Sequence, residues 1–183
     1  MNSLDTMLQI YLASSRTSVM TEFMYVLTTI FDLALPFVLI ALCVAILVYI
    51  IRGKKHAVQF GLSLFIGAIL IFFLKSYFNI GRPMDSVITA FGQSFPSYHA
   101  TIVTIFFGML MYLFDDYFGK ISRIIFNSFC FFIILMVSYS RLYLGAHWLS
   151  DVLGGIVLGT IVCYLSIKIY DLTFRKNSQG YTS

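Results

Sequence analysis

Five long stretches without a charged residue dominate this chain. They cover residues 33–51, 57–74, 100–114, 124–140 and 152–167. A helix needs about 20 apolar residues to cross a bilayer, and shorter stretches can extend through flanking polar side chains that reach the interface. A soluble domain of 183 residues cannot bury a chain that is 60% hydrophobic, so lipid must be its solvent. The sequence predicts an all-α, polytopic membrane helix bundle.

Two further segments precede these stretches. Residues 17–31 carry Glu22 as their only charge and predict a weaker sixth span, which gives about six transmembrane helices. Near the start of the chain, apolar residues recur with the i, i+3, i+4, i+7, i+8 spacing of one helix face. They are Leu4, Met7, Leu8, Tyr11 and Leu12, with Asp5, Gln9 and Ser14 among the other positions. This pattern predicts an amphipathic helix on the membrane surface, and a partly helical, disordered terminus is the alternative.

Positive charges mark alternate ends of the predicted spans. The three groups are Arg52, Lys54 and Lys55, then Lys120 and Arg123, then Arg175 and Lys176. Strict alternation puts all three groups on one side, which the positive-inside rule makes cytoplasmic. The net charge of +4 is explained by these loops, and no basic run suggests nucleic-acid binding. We expect an integral membrane protein with these loops in the cytoplasm.

Three polar clusters fall at the opposite ends of the spans and therefore at the outer face. They read Lys75-x6-Arg82-Pro83, then Pro96-Ser97-Tyr98-His99, then Ser140-Arg141-x5-His147-x3-Asp151. Charges within apolar segments are costly and usually mark function. Three cations with two histidines suggest a site that binds a phosphate group and cleaves its ester, because positioned cations stabilise phosphoryl oxygens.

The first cluster supplies two of those cations. Lys75 and Arg82 are seven residues apart, about two helical turns, and share a face if the helix continues to Pro83. Arg141 would join them from another helix. Arginine suits bidentate phosphate recognition, whereas lysine acts as a point charge. The alternative for Lys75 is a side chain that snorkels from a helix end.

The histidines can supply a nucleophile and an acid. His147 and Asp151 are four residues apart and would be neighbours on one helix. The carboxylate would fix the tautomer of the imidazole and leave its other nitrogen free to attack, although a buried polar pair with a structural role is the alternative. His99 follows Ser97, which can cap the next helix and aim its free N–H groups at an anion. His99 could then protonate a leaving oxygen.

No linker or repeat divides the chain, so we expect one domain over residues 1–183. The longest connection runs roughly from residue 78 to residue 96 and carries two of the three prolines, which suits an irregular loop beside a site. Gly155 and Gly159, with Gly154, can let another helix approach the last span closely. Incidental small residues are the alternative.

Together the clusters resemble the signature of the type 2 phosphatidic acid phosphatase superfamily: Lys-x6-Arg-Pro, Pro-Ser-Gly-His and Ser-Arg-x5-His-x3-Asp. The first and third parts match at every fixed position, and the order is the same. In the second part, Tyr98 stands where the family has Gly, which would allow a close approach to phosphate. The ring of Tyr98 must therefore turn away or line the mouth of the pocket.

The resemblance implies a role for each site residue. His147 is the nucleophile that forms a phosphohistidine, Asp151 orients it, and His99 is the general acid. The phosphate is held by side chains and by a backbone N–H near Ser97 and Tyr98. These side chains belong to Lys75, Arg82, Ser97 and Arg141. The resemblance implies a six-helix core, and it implies neither a metal nor an organic cofactor.

The resemblance implies a metal-independent lipid phosphatase in the bacterial cytoplasmic membrane, with its active site at the outer face. Expected substrates are undecaprenyl diphosphate first, then phosphatidylglycerophosphate, phosphatidic acid or a lipid A phosphate. A phosphotransferase using the same phosphohistidine is a variant. The contrasting class is a non-catalytic lipid- or anion-binding transporter. The expected partners are the lipid phosphate and membrane lipids, and the oligomeric state is left open.

Overall fold

The computed structural model describes residues 3–31 and 35–175, and these residues form helices and loops with no strand. Lys176 and the first two residues of the stretch 33–51 lie outside the described part. The helices are α1 Ser3–Ser14, α2 Ser18–Thr29, α3 Leu35–Arg52, α4 Lys54–Phe78, α5 Tyr98–Leu113, α6 Lys120–Tyr143 and α7 Leu149–Tyr170. A short π-helical turn, Asp171–Arg175, continues α7. The predicted all-α class is confirmed.

Three of the described helices are long and apolar enough to cross a membrane. They are Lys54–Phe78, Lys120–Tyr143 and the continuous segment Leu149–Phe174. Pro36–Arg52 and Tyr98–Leu113 are shorter apolar helices. The weaker candidate at residues 17–31 is a helix of 12 residues, α2, about 18 Å long.

Helix α5 is the centre of the bundle. It packs against α3, α4, α6 and α7, and every side chain from His99 to Phe106 is buried. The core around it includes Phe60, Ile105 and Met109, each with almost no exposed surface. Because α5 is surrounded, its first turn lies at a junction of several helices, next to the loop that leads into it.

Glycines bring α7 close to α5. A Cβ atom on Gly155 would lie 2.8 Å from the carbonyl oxygen of Ser97, and one on Gly159 would lie 2.8 Å from that of Thr101. The predicted close approach is confirmed. It brings the first turns of the two helices together, where the Ser97 N–H donates to the carbonyl of Asp151 at 3.0 Å.

We expect Gly159→Ala to lower the melting temperature of the detergent-solubilised protein. The added methyl must push α5 and α7 apart, and such overpacking costs about 1–3 kcal/mol. Gly61→Ala is the matched control, because a Cβ on this helical glycine meets nothing within 4 Å. It should raise stability by about 0.5–1 kcal/mol through helix propensity. Equal melting temperatures for both variants would contradict the packing role of Gly159.

The two ends of the bundle differ in character. At one end, Arg52 forms an ion pair with Asp116 and donates from Nε to the carbonyl of Leu113 at 2.6 Å. The His56 and Tyr170 rings also lie there, 4.6 Å apart. The junction between α3 and α4, the loop between α5 and α6, and the end of α7 therefore meet. The three polar clusters lie at the other end.

Helix α1 forms as expected, but its polar side chains face inward. Asp5 and Gln9 are buried, while Met7 and Tyr11 are exposed. The reason is a hydrogen-bonding role: the Asp5 carboxylate accepts from the backbone N–H and the hydroxyl of Ser150, both at 2.9 Å. Leu12 is buried with them, and Leu8 packs against the same core, so the outer surface of α1 carries Leu4, Met7 and Tyr11.

Candidate active site

Lys75 and Arg82 lie close together, although the helix does not continue to Pro83, which was the condition for them to share a helix face. Helix α4 ends at Phe78, and Asn79 adopts a left-handed conformation with φ 46° that stops it. The following loop folds back, so Arg82 approaches Lys75 from outside the helix. The Lys75 ammonium donates to the carbonyl of Gln93 at 2.6 Å, and Arg82 Nη2 donates to the same oxygen at 3.2 Å.

His147 and Asp151 are likewise neighbours without sharing a helix. Helix α7 begins at Leu149, so His147 lies in the preceding corner, where Gly145 has φ 72°. His147 Nδ1 is 3.4 Å from Asp151 Oδ2, and the backbone N–H of Trp148 donates to the same oxygen at 2.8 Å. The carboxylate thus caps α7 and faces the imidazole at once. The prediction of one helix was wrong, because the chain turns at Gly145 before the helix starts.

Ser94 is a site residue that sequence reasoning missed. Its hydroxyl donates to Asp151 Oδ2 and lies 3.3 Å from His147 Nδ1. Its carbonyl accepts from the Lys75 ammonium at 3.3 Å. Ser94 is an ordinary loop serine in the sequence, and no spacing distinguishes it from its neighbours. Only the folded loop brings it between the histidine and the carboxylate.

Arg82 uses all five of its N–H donors on protein acceptors. Nε donates to Gly92 O at 3.0 Å, and Nη2 donates to Phe91 O at 3.0 Å as well as to Gln93 O. Nη1 donates to Ala146 O at 2.7 Å and lies 3.2 Å from His147 Nε2. A guanidinium has five such donors. A bound phosphate must therefore replace one of these partners to accept a hydrogen bond from Arg82. His147 Nε2 is the only side-chain partner among them.

Ser97 and His99, at the start of α5, are buried close to this group, and Tyr98 between them is partly buried. Ser97 stands at the N-cap position, but its hydroxyl makes no capping bond and has no hydrogen-bond partner among the described residues. The predicted capping bond is thus absent. The Tyr98 ring packs against the core and lies edge-on to the His99 ring, with centroids 5.7 Å apart. The ring of Tyr98 therefore turns away into the bundle.

Arg141 reaches the site from the last turn of α6. Its side chain is buried, and Nη1 donates to the hydroxyl of Thr28 in α2 at 2.7 Å. Thr28 was not identified from the sequence. The contact makes α2 part of the site, although the residues of this helix belong to none of the three clusters.

The surroundings of His147 favour a neutral imidazole. Burial lowers the pKa of His147 well below its usual value, and the positive charges of Arg82, Arg141 and Lys75 lower it further, as does His99. A neutral imidazole keeps a lone pair on one nitrogen. With Nδ1 directed at Asp151 and Ser94, that lone pair is on Nε2, the nitrogen that faces Arg82.

The N-terminal segment holds the corner that carries His147. Arg16 donates from Nε to Tyr143 O at 2.8 Å and from Nη1 to Asp85 O at 2.7 Å. The Thr17 N–H donates to the Tyr143 hydroxyl at 2.9 Å. With Asp5 on Ser150, these bonds tie α1 to the end of α6 and to the start of α7. No motif in the sequence identifies these residues.

Metal ligands do not cluster in the part of the chain that the structure describes: no three side chains of His, Cys, Asp or Glu come together in residues 3–31 and 35–175. The charged groups around His147 are mostly cations, which repel a divalent ion. The arrangement suits an anionic ligand.

Parts of this sequence resemble proteins of known function. The chain is 49% identical over 35 residues to an undecaprenyl-diphosphatase of Sulfolobus acidocaldarius, a match that covers 19% of this chain and 17% of that protein. It is 38% identical over 53 residues to the lipid A 4'-phosphatase of Porphyromonas gingivalis, covering 27% of this chain and 22% of that protein. Each match therefore spans less than a quarter of the relative.

A solved structure shares the fold over almost the whole chain. It is the crystal structure of a transmembrane PAP2-type phosphatidylglycerolphosphate phosphatase from Bacillus subtilis, with a TM-score of 0.84 and 22% identity. The match covers 94% of this chain and 87% of that one. The family model described as the PAP2 superfamily matches residues 56–175. These residues include all three polar clusters and the helices that position them, and the chain is therefore a membrane protein of the PAP2 superfamily, the type 2 phosphatidic acid phosphatases.

Proposed function

We propose that this protein hydrolyses the phosphate or diphosphate monoester of a lipid through a phosphohistidine at the outer membrane face. One observation carries the proposal: the buried His147 has Nδ1 against Asp151 and Ser94 and Nε2 toward the Arg82 guanidinium. An imidazole held in this way can attack phosphorus, and the cations around it can stabilise the phosphoryl oxygens.

The reaction has two balanced steps. His147 Nε2 attacks phosphorus and forms a P–N bond while the P–O bond to the lipid breaks, and His99 donates its proton to the leaving oxygen. A water molecule then attacks phosphorus, His99 takes its proton, and the P–N bond breaks to release phosphate. Asp151 keeps the proton on Nδ1 before the attack and stabilises the charged ring afterwards. Lys75, Arg82, Arg141 and Ser97 hold the phosphate, with a backbone N–H near Ser97 and Tyr98.

The names of the relatives suggest three lipid phosphates as candidate substrates. They are an undecaprenyl diphosphate, a lipid A phosphate and phosphatidylglycerolphosphate. Phosphatidic acid joins them as a simple monoester. All four place a phosphate group at the membrane interface, where the polar end of the bundle lies. The substrate of this chain is therefore proposed from this class.

Phosphate release by the purified protein in detergent tests the proposal. We expect release from at least one of the four lipids, and we expect it to persist in EDTA, because cations of the chain replace a metal. Loss on chelation with rescue by a divalent ion would contradict the mechanism. Binding of a lipid phosphate without release of inorganic phosphate would favour the alternative, a non-catalytic lipid- or anion-binding transporter. Transfer of phosphate to an added alcohol would reveal a phosphotransferase.

Acidification should destabilise the protein through His147. Its pKa in the folded state is lowered, whereas in the unfolded chain it is about 6.5. Above about pH 6.5 both states are neutral and His147 adds no pH dependence. Below that value only the unfolded state takes up the proton, so stability falls by up to about 1.4 kcal/mol for each pH unit. Urea unfolding in detergent at pH 7.0 and 5.5 measures this.

The variant His147→Gln should lose less stability over this pH interval than the wild type. His56→Gln is the control, because His56 lies at the opposite end of the bundle beside Tyr170. It should keep the slope of the wild type. Identical slopes for all three proteins would show that His147 is not held neutral by the fold.

The outer-face location can be tested by thiol labelling. Arg52, Lys54 and Lys120 lie at one end of the bundle and predict a cytoplasmic end. A cysteine at Ser86, in the loop beside the site, should react in intact cells with a reagent that cannot cross the membrane. A cysteine at Gly119 should react only after lysis. Reversed labelling would place the site in the cytoplasm.

A further inference from the structure

A polar cavity of about 680 Å³ lies beside Arg141. One of its walls is α2, which contributes Ser18, Thr21, Glu22, Tyr25 and Thr28. These positions follow i, i+3, i+4, i+7 and i+10 and therefore form one stripe along the helix. The volume falls within the range of sites for small ligands.

Glu22 is the unusual member of this stripe. It is the only charged residue of α2, and it makes no ion pair with a residue in the described part of the chain. A carboxylate within a membrane protein is costly unless it faces water or a partner, and it usually marks a functional site. Here Glu22 lines a polar cavity that is open to solvent, and a ligand in that cavity can be the partner of the carboxylate.

Arg141 lies between the cavity and the proposed catalytic residues around His147. This guanidinium lines the cavity, is itself buried, and donates to Thr28 at 2.7 Å. The loop between α4 and α5 connects the two regions as well. Its residues Gln93 and Ser94 contact Lys75, and its residues Val87 and Thr89 line the cavity. A phosphate held by Arg141 would therefore have its neighbouring substituent in reach of the stripe.

We propose that this cavity binds the part of the substrate bonded to the phosphate and that Glu22 accepts a hydrogen bond from a hydroxyl there. The inference rests on the proposed lipid phosphatase activity and narrows its substrate to a lipid phosphomonoester of a polyol, either a glycerol or a sugar. Hydroxyl side chains and a carboxylate match hydroxyl groups. The second phosphate of a polyprenyl diphosphate would instead place anionic oxygens beside Glu22, which is repulsive.

Matched substrates give a direct test. Lysophosphatidic acid carries a free hydroxyl on the carbon next to the phosphate-bearing carbon, and its 2-deoxy analogue lacks only that group. Dodecyl glucoside 4-phosphate presents a hydroxyl from a sugar, and farnesyl diphosphate presents a second phosphate. We expect wild-type kcat/KM to be about tenfold higher for lysophosphatidic acid than for the deoxy analogue, the usual worth of a hydrogen bond to a charged group. Comparing the first and third lipids shows whether glycerol or sugar is preferred.

The variant Glu22→Gln should reduce the tenfold preference to about twofold or less and raise the relative use of farnesyl diphosphate. Thr21→Val should weaken the preference in the same direction. Phe23→Leu is the control, because Phe23 is exposed on α2 and does not line the cavity. It should keep the substrate ratios of the wild type.

Two outcomes would overturn the proposal. One is an unchanged preference for the hydroxyl in Glu22→Gln, and the other is a wild-type preference for farnesyl diphosphate over lysophosphatidic acid. Failure of the proposed phosphatase activity gives a different result. The wild type would then release no phosphate from any of these lipids, and none from phosphatidic acid. A variant that fails to fold is recognised by its melting temperature, and Thr21→Val then supplies the comparison.

Discussion

The His147→Ala variant is expected to lose both turnover and the phosphoenzyme. The variant keeps the cations proposed to bind phosphate but lacks the imidazole nitrogen proposed to form the covalent bond. Rapid-quench trapping with labelled substrate should show an acid-labile, base-stable phosphoenzyme in the wild type and none in the variant. Turnover should fall to background, because the imidazole that faces the Asp151 carboxylate is removed.

The role of His99 is separable from that of His147. If it only protonates the leaving oxygen, His99→Ala should slow turnover by roughly 10²–10⁴-fold. A nitrophenyl phosphate has a good leaving group and should recover much of that loss, whereas it should recover none in His147→Ala. Asp151→Asn should fall between the two, because the nucleophile remains but its tautomer is not enforced. Trapping that persists in His147→Ala and vanishes in His99→Ala would invert the two roles.

Arg82→Lys should cost about 10²–10³-fold in kcat, although it preserves the charge. A lysine cannot reproduce the planar fork that reaches both His147 Nε2 and the carbonyls of the loop. The phosphate would lose a donor positioned at the attacking nitrogen. Steady-state kinetics on the best lipid, with melting temperatures measured alongside, gives the effect on kcat separately from any loss of stability.

Arg16→Lys is the matched control for this variant. Arg16 also joins the loop to the corner through backbone carbonyls, Asp85 O and Tyr143 O, but no hydrogen bond joins it to His147 in the described structure. We expect a lower melting temperature and a kcat within a few-fold of the wild type. A similar loss of kcat in both variants would mean that Arg82 acts by supporting the loop rather than by contacting the phosphate.

Of these two arginines, only Arg82 could be identified as a site residue from the sequence. Arg82 stands beside Pro83 at a fixed distance from Lys75, so its motif identifies it. Arg16 lies at a junction between two helices, and nothing in the one-dimensional pattern distinguishes it from a solvated charge. The same holds for Asp5 and Ser94. Motif spacing identifies the residues proposed to bind the phosphate, whereas the residues that hold them in place can come from any part of the chain.

One expected geometry was wrong, and another depended on a condition that the structure does not meet. The sequence predicted one helix through His147 and Asp151, and it put Lys75 and Arg82 on one helix face only if that helix continued to Pro83. Asn79 ends α4 before Arg82, and Gly145 turns the chain before α7 begins. Each pair meets because a loop folds back on a helix. Residue spacing alone cannot distinguish such a turn from a continuous helix.

Four features followed from the sequence by itself. They are the lipid environment, the all-α class, the end of the bundle that carries the basic loops, and the three polar clusters. These follow from local quantities: the length of apolar stretches, the cost of a charge in lipid and the types of residue in each motif. Three contacts are visible only in the tertiary structure. Ser94 contacts both Asp151 and His147, and each N–H group of Arg82 has an acceptor within the protein. Thr28 in α2 accepts a hydrogen bond from Arg141. These contacts join segments far apart in the chain, and their energies depend on packing that no single segment contains.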